Sequence, residues 1–264
     1  MEKGVIIITG ASSGIGLATA QYLDSLGFVV YGLSRSQKEN VMFHQISCDI
    51  TKREDIKKAV DEVVRKENRI DVIINNAGMG VSGAVEYMSE PELRMILDVN
   101  VVGLVGMCQE SIPHLRKTKG KIINIGSVAG ELVIPFQAYY SMTKASVAVV
   151  TEAIRMECKS FGISATTVLP GDTKTEFTKN RILPKVEEDQ YYQNRIKRSI
   201  EKMAKDEEKG VSPLKVAYVI EKIIKKNKPP VQVVVGFQYK LFVFLKRLLP
   251  KRLVSYILYK MYAK

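Results

Sequence analysis

The 264-residue chain has no tryptophan, only two histidines and only three cysteines. Cys48, Cys108 and Cys158 lie far apart, are odd in number and form no CxxC or Cys/His cluster, which argues against a disulfide framework or a zinc site. Buried thiols in a reducing compartment are expected instead. His44 and His114 are equally isolated, so catalysis cannot lean on histidine, and no metal is expected. Low-complexity tracts and internal repeats are absent, and an apolar content of 46% is ordinary for a packed domain. The longest uncharged runs fall well short of a spanning helix. The Met-Glu-Lys-Gly start passes at once into an apolar run, with no room for a signal peptide, so a cytoplasmic body is expected.

Acidic charge is missing from one region only. Residues 1–212 carry 28 basic and 27 acidic side chains, whereas residues 240–264 carry seven basic side chains and no acid. The net charge of +12 and the pI near 9.4 therefore reflect a local basic end on a near-neutral body. That distribution argues against a nucleic-acid partner.

What is present alternates strand and helix signals. Val5–Thr9 is a short β-branched run, as expected of a strand buried on both faces. It leads into Thr9-Gly10-Ala11-Ser12-Ser13-Gly14-Ile15-Gly16 and then a helical pattern through Leu26. Strand, glycine turn and helix in that order predict a dinucleotide site. Gly10 permits the tight turn, Gly14 lets phosphate approach the backbone, and Gly16 lets helix and strand pack closely. Phe28–Ser34 is the second strand. Where NAD sites place an acid, this strand ends Ser34-Arg35-Ser36, with no acid before Glu39. An Arg fork matches a 2′-phosphate, so NADP(H) is preferred over NAD(H), with Arg35 as the main determinant.

Only Arg35–Met42 separates this strand from the third, Phe43–Cys48, so a connecting helix there must be vestigial. Asp49 and Ile50 follow, one polar and one apolar group for an adenine. Arg53–Glu67 reads as an amphipathic helix and Val72–Ile74 as the fourth strand, running into Asn75-Asn76-Ala77-Gly78, where Asn76, Ala77 and Gly78 can line the cofactor crevice. A helix from Pro91 onward carries Asn100, whose amide needs partners in an apolar setting, as a water network or a backbone brace. Lys121–Ile125 is the fifth strand, and Ser127 emerges at its carboxyl edge, where open α/β sheets bind ligands. No His or acidic partner is in sight, so its hydroxyl suits hydrogen bonding to a carbonyl better than nucleophilic attack.

Gln137–Phe161 reads as one long helix. Tyr140 and Lys144 are four residues apart and share a face. An ammonium beside a phenol favours the phenolate and pulls the phenol toward the working range. Ser164–Leu169 is the sixth strand, closed by Pro170-Gly171. Residues 172–210 are polar and long, the pattern of a substrate lid or of a surface excursion. Ser212-Pro213 opens a helix to Lys226, and Val231–Gly236 is the seventh strand.

In the tail, residues 239–264, Leu241, Phe244, Leu245, Leu248 and Leu249 share one face; after Pro250, Leu253, Val254, Ile257, Leu258 and Met261 resume the stripe. Basic amphipathic helices of this kind lie in bilayer interfaces, or pack on their own body or on a partner subunit.

These stations together resemble the short-chain dehydrogenase/reductase family over roughly residues 3–236. The likeness is carried by the glycine motif, Asn75-Asn76-Ala77-Gly78, Asn100, Ser127, the Tyr140/Lys144 pair and Pro170-Gly171. It implies a single α/β Rossmann domain, a doubly wound seven-stranded parallel sheet over residues 1–238, with residues 239–264 as a C-terminal helical extension. It implies hydride transfer between a nicotinamide and a ketone, aldehyde or secondary alcohol. Tyr140 is then the general acid/base, Lys144 holds the nicotinamide ribose, Ser127 polarises the carbonyl, and Asn100 supports a water relay. The cofactor lies across Gly10, Ser12, Ser13, Gly14, Ile15 and Gly16. Pro170, Gly171, Thr173 and Thr175 sit at its carboxamide. Tyr139 competes with Tyr140, but only Tyr140 has Lys at i+4. A wall of Met79, Val81, Val133, Ile134 and Phe136 points to an apolar substrate. A β-ketoacyl thioester, or a non-catalytic NADP-binding scaffold, is the alternative. The family also implies a homodimer through helices around Met95–His114 and Tyr140–Phe161.

Overall fold

Short β-branched segments that cannot bury themselves alone pair here into one all-parallel sheet. The computed structural model describes residues 4–183, 191–192 and 194–264. The strands are β1 (Val5–Thr9), β2 (Val29–Ser34), β3 (His44–Ser47), β4 (Val72–Asn75), β5 (Lys121–Ile125), β6 (Ser164–Pro170) and β7 (Gln232–Val235), in spatial order β3-β2-β1-β4-β5-β6-β7. The order reverses between β1 and β4. There the loops leave in opposite directions and open a crevice at the carboxyl edge.

Consecutive side chains of β1 enter different cores. Ile6 and Ile8 pack with Ala20, Leu23, Val216 and Ile220 from α1 (Gly14–Ser25) and α7 (Pro213–Lys225). Ile7 packs on the other face with residues of α2 (Arg53–Glu67), α4 (Gly103–Thr118) and α5 (Ala138–Glu157). A near-continuous apolar strand is what two covered faces require.

The helix expected from Pro91 onward is interrupted. α3 (Glu90–Leu97) begins with a Ser89/Glu92 capping box and passes through a π-helical turn at Asp98–Val102 before α4 resumes. Glu90–Thr118 as a whole is long and apolar enough by composition to cross a membrane, but it packs in the core against α2, α5 and β4. The short crossover at residues 35–43 holds no helix, not even a vestigial one. Gln45 pins it through both amide groups, accepting from Lys38 N at 2.7 Å and donating to Lys38 O at 2.8 Å.

Part of the polar segment folds as α6 (Arg195–Glu208), and a bridge pairs Ile182 with Val81. Residues 184–190 and 193 of that segment lie outside the described residues. The tail forms two helices, α8 (Phe237–Leu248) and α9 (Lys251–Tyr262), separated at Pro250. They pack on the protein's own body. Val243 is buried with Val128 and Leu169, and α9 lies against α6.

Candidate active site

Gly10 and Gly14 both take positive φ, 67° and 53°, the turn geometry that glycine adopts without strain. Gly10 N donates to Leu33 O at 2.7 Å. A Cβ on Gly16 would stand 2.2 Å from Gly10 O, so α1 could not lie this close to the loop with any other residue there. The Ser13 side chain makes no capping bond, which leaves the first N–H groups of α1 directed at the crevice.

Asn76 turns out to be a brace. Its amide donates to Thr9 O and Gly10 O at 3.0 and 3.1 Å, while Thr9 Oγ1 accepts from Asn76 N and Ala77 N, each at 3.0 Å. Asn100, on the π-helical turn, braces the next loop. Its Oδ1 accepts from Met79 N at 2.8 Å, and its Nδ2 donates to Met79 O and Thr143 Oγ1, both at 3.0 Å. With those N–H groups engaged, the backbone-brace alternative describes its side chain better than the water network.

Tyr140, Ser127 and Lys144 come together at the inner end of the crevice. Tyr140 and Lys144 are buried. The Ser127 hydroxyl acts on the Tyr140 phenol and accepts from Ala129 N at 3.1 Å. Lys144 Nζ lies 5.8 Å from the phenol ring centroid and donates to Ile125 O at 2.9 Å. Burial dominates both titrations. It pushes Tyr140 up to about 12, against the pull of Ser127 and Arg181, with Glu207 and Asp172 adding to the rise. It pulls Lys144 down to about 8. The downward shift of Tyr140 expected from its lysine neighbour is therefore reversed here, because desolvation dominates and the Lys144 ammonium is turned to a carbonyl. Tyr139 is turned away and donates to Val85 O at 3.2 Å.

One cavity of about 1430 Å³ joins these parts. That exceeds the roughly 300–1,000 Å³ of a pocket for one small ligand. Its outer end is lined by Ser34, Arg35, Asp49 and Ile50, and also by Ser36, Gln37 and Lys38. Sequence reasoning missed Lys38, a second cation beside Arg35; the brevity of the crossover was the available signal. Asp49 commits one carboxylate oxygen to Thr51, at 3.0 Å to N and 2.8 Å to Oγ1. Burial raises its pKa, but the Thr51 bonds and the Arg35 and Lys52 charges win and hold it low. Gly10, Ser12, Ser13, Gly14, Ile15, Asn76, Ala77 and Gly78 line the middle, with Pro170, Gly171, Thr173 and Thr175 opposite. Gly16 does not line the cavity; its role is packing.

The apolar wall differs in part from the expected one. Met79 and Ile134 line the cavity, but Val133 is 62% exposed, Val81 packs behind Tyr140, and Phe136 stacks edge-on against Tyr192. Phe177 fills that place, with its ring centroid 5.5 Å from Tyr140. The larger surprise is the tail, which supplies Leu245, Leu249, Val254, Ile257, Leu258 and Met261 to the same cavity. Sequence periodicity placed these on one stripe with Leu241, Phe244, Leu248 and Leu253; the fold divides that stripe between cavity and solvent. Tyr239 anchors the tail. Its ring occupies the place a Cβ on Gly171 would take, and its hydroxyl donates to Asp172. Lys246 pairs with Glu131 at 2.9 Å.

The parallel sheet with its switch-point crevice, glycine cradle and Ser/Tyr/Lys group defines a nicotinamide-dependent oxidoreductase of the Rossmann type. The short chain dehydrogenase family profile matches residues 4–185, and the chain belongs to that family of NAD(P)-dependent enzymes. It is 39% identical, over 100% of its own length and 99% of the relative's, to a 3-ketodihydrosphingosine reductase of Bacteroides thetaiotaomicron. A farnesol dehydrogenase of Aedes aegypti is 34% identical over 68% of this chain and 81% of that one. Among solved structures, a short-chain dehydrogenase from Streptomyces avermitilis superposes with a TM-score of 0.83 at 28% identity, covering 92% of each chain.

Proposed function

We propose that this enzyme uses NADPH to reduce a ketone carried on a long aliphatic chain, of the kind named for its sphingoid-base relative. The observation that carries this reading is the continuity of one cavity, from Ser127 and Tyr140 to an aliphatic wall built by α8 and α9. The residues suit a phosphorylated dinucleotide. Residues 34–38 contain two cations and no acid, and the uncapped start of α1 suits a pyrophosphate.

Arg35 and Lys38 hold the 2′-phosphate, Asp49 and Ile50 flank the adenine, and Thr173 and Thr175 orient the carboxamide. When bound, the reduced nicotinamide supplies the hydride that the carbonyl carbon receives. Ser127 and Tyr140 donate to the carbonyl oxygen and stabilise the charge that develops there. A phenol held at about 12 keeps its proton through the working range, which is the state a donor needs. Tyr140 passes that proton to the oxygen as the alcohol forms, and the Lys144 ammonium stabilises the phenolate left behind. Asp172, Asp206 and Glu207 line the same cavity together with Lys202, Lys209 and Lys246, so its polar wall carries charge of both signs.

The test is NADPH oxidation with 3-ketodihydrosphingosine, a short soluble ketone and a β-ketoacyl thioester. The long-chain ketone should give the highest kcat/KM. Equal turnover of the short ketone would remove the role given to the tail.

A further inference from the structure

The tail has a second apolar face that the cavity does not use. On α8, Phe237, Leu241, Phe244 and Leu248 recur at spacings of four, three and four residues and form one stripe along the helix. All four are exposed, Phe237 at 84% and Leu248 at 66%. The cavity-lining residues Phe242, Leu245 and Leu249 lie roughly a third of a turn away. On α9, Leu253 and Tyr256 are exposed in the same way, and Lys260 lies 5.4 Å over the Tyr256 ring. Lys240, Arg247, Lys251 and Arg252 are exposed on these two helices, and residues 240–264 contain no acid.

We propose that the outer face of α8 and α9 docks the enzyme on an anionic lipid bilayer, with the mouth of the substrate cavity at the membrane surface. Three observations favour a bilayer over a protein partner. The face combines large apolar side chains with charge of one sign only, which complements an anionic headgroup layer. Tyrosine and lysine are amphipathic and tolerate the interface depth. The same two helices line the cavity with their other faces, so docking would bring an aliphatic chain from lipid to Tyr140 with little exposure to water. Tyr239 and Lys246, pinned to Asp172 and Glu131, hold the helices in that position. The location of the mouth rests on the function proposed above; vesicle binding does not, because it is read without turnover.

The test is flotation of the full-length enzyme with vesicles of phosphatidylcholine alone and of phosphatidylcholine mixed with phosphatidylglycerol. Binding to the anionic vesicles should exceed binding to the neutral ones by about tenfold or more and weaken in high salt. Two variants, F244E/L248E and K240E/R247E/R252E, should each lose about tenfold of that binding while turning over a short soluble ketone like the wild type. Neither alters a residue that lines the cavity. Absence of flotation, or flotation indifferent to lipid charge and to both variants, overturns the proposal. So does an assembly of several copies that F244E/L248E dissociates in the absence of vesicles, since the face would then be a subunit interface.

Discussion

At the residue scale, Tyr140 and Lys144 are each held in the neutral direction by the same burial, and this has opposite consequences for stability. Lys144 titrates near 8 in the folded protein and near its ordinary value when unfolded. Between those values the unfolded chain binds more protons, so stability rises with pH; below about 8 the full penalty applies. A Lys144→Met variant should therefore be more stable than the wild type by about 1–3 kcal/mol at pH 7, by urea denaturation, while losing turnover. Loss of stability would show that the Ile125 hydrogen bond outweighs desolvation. Tyr140 contributes with the other sign. Its folded value of about 12 lies above the unfolded one, so its contribution is complete below pH 10 and lost as pH rises toward 12. Catalysis has its own profile: kcat/KM for ketone reduction should fall as pH rises through about 8, as Lys144 loses its charge. These two residues and Ser127 were legible in sequence because an i, i+4 pair and a strand-end serine are local patterns. Their titration was not, since burial depends on what Phe177 and the distant tail cover.

At the element scale, the glycine turn, β1, β4 and α1 are fastened as one unit by Thr9 and Asn76. Gly16→Ala should cost about 2–3 kcal/mol, because its Cβ meets backbone that cannot yield. NADPH affinity, measured by titration, should drop with it; unchanged affinity and stability would mean that α1 simply shifts. The strand-turn-helix order made this unit readable from residues 5–26. The π-helical turn at Asp98–Val102 was not readable, because nothing in a run of apolar residues marks one extra residue per turn. The tail is legible only in part. Its period gave two amphipathic helices broken at Pro250, but period alone cannot tell which part of a broad stripe faces a cavity. Leu245→Ala/Leu258→Ala should lower kcat/KM for the long-chain ketone by about tenfold and leave a short one unaffected. Equal losses on both would place these leucines in folding rather than in selectivity.

At the scale of the whole molecule, the near-neutral Rossmann body and the basic tail divide the work. The body carries the glycine turn and Tyr140, and the tail closes the far side of the cavity. α4 and α5 form the opposite face, where Val149 and Met156 are exposed at 69% and 66%. We expect a homodimer across that face, so Val149→Glu/Met156→Glu should give a monomer by light scattering; a persisting dimer would move the interface elsewhere. The sheet order and the carboxyl-edge site follow from the alternation of strands and helices. The joining of tail to active site does not, because it depends on contacts such as Tyr239 over Gly171 that span 68 residues of chain.

The most direct test of the account is Tyr140→Phe, assayed for NADPH binding and for ketone reduction side by side. The phenyl ring keeps the packing against Phe177 and removes only the proton donor. The account predicts cofactor affinity within about twofold of the wild type and a loss of turnover of at least about a hundredfold. Turnover near the wild-type rate would contradict it.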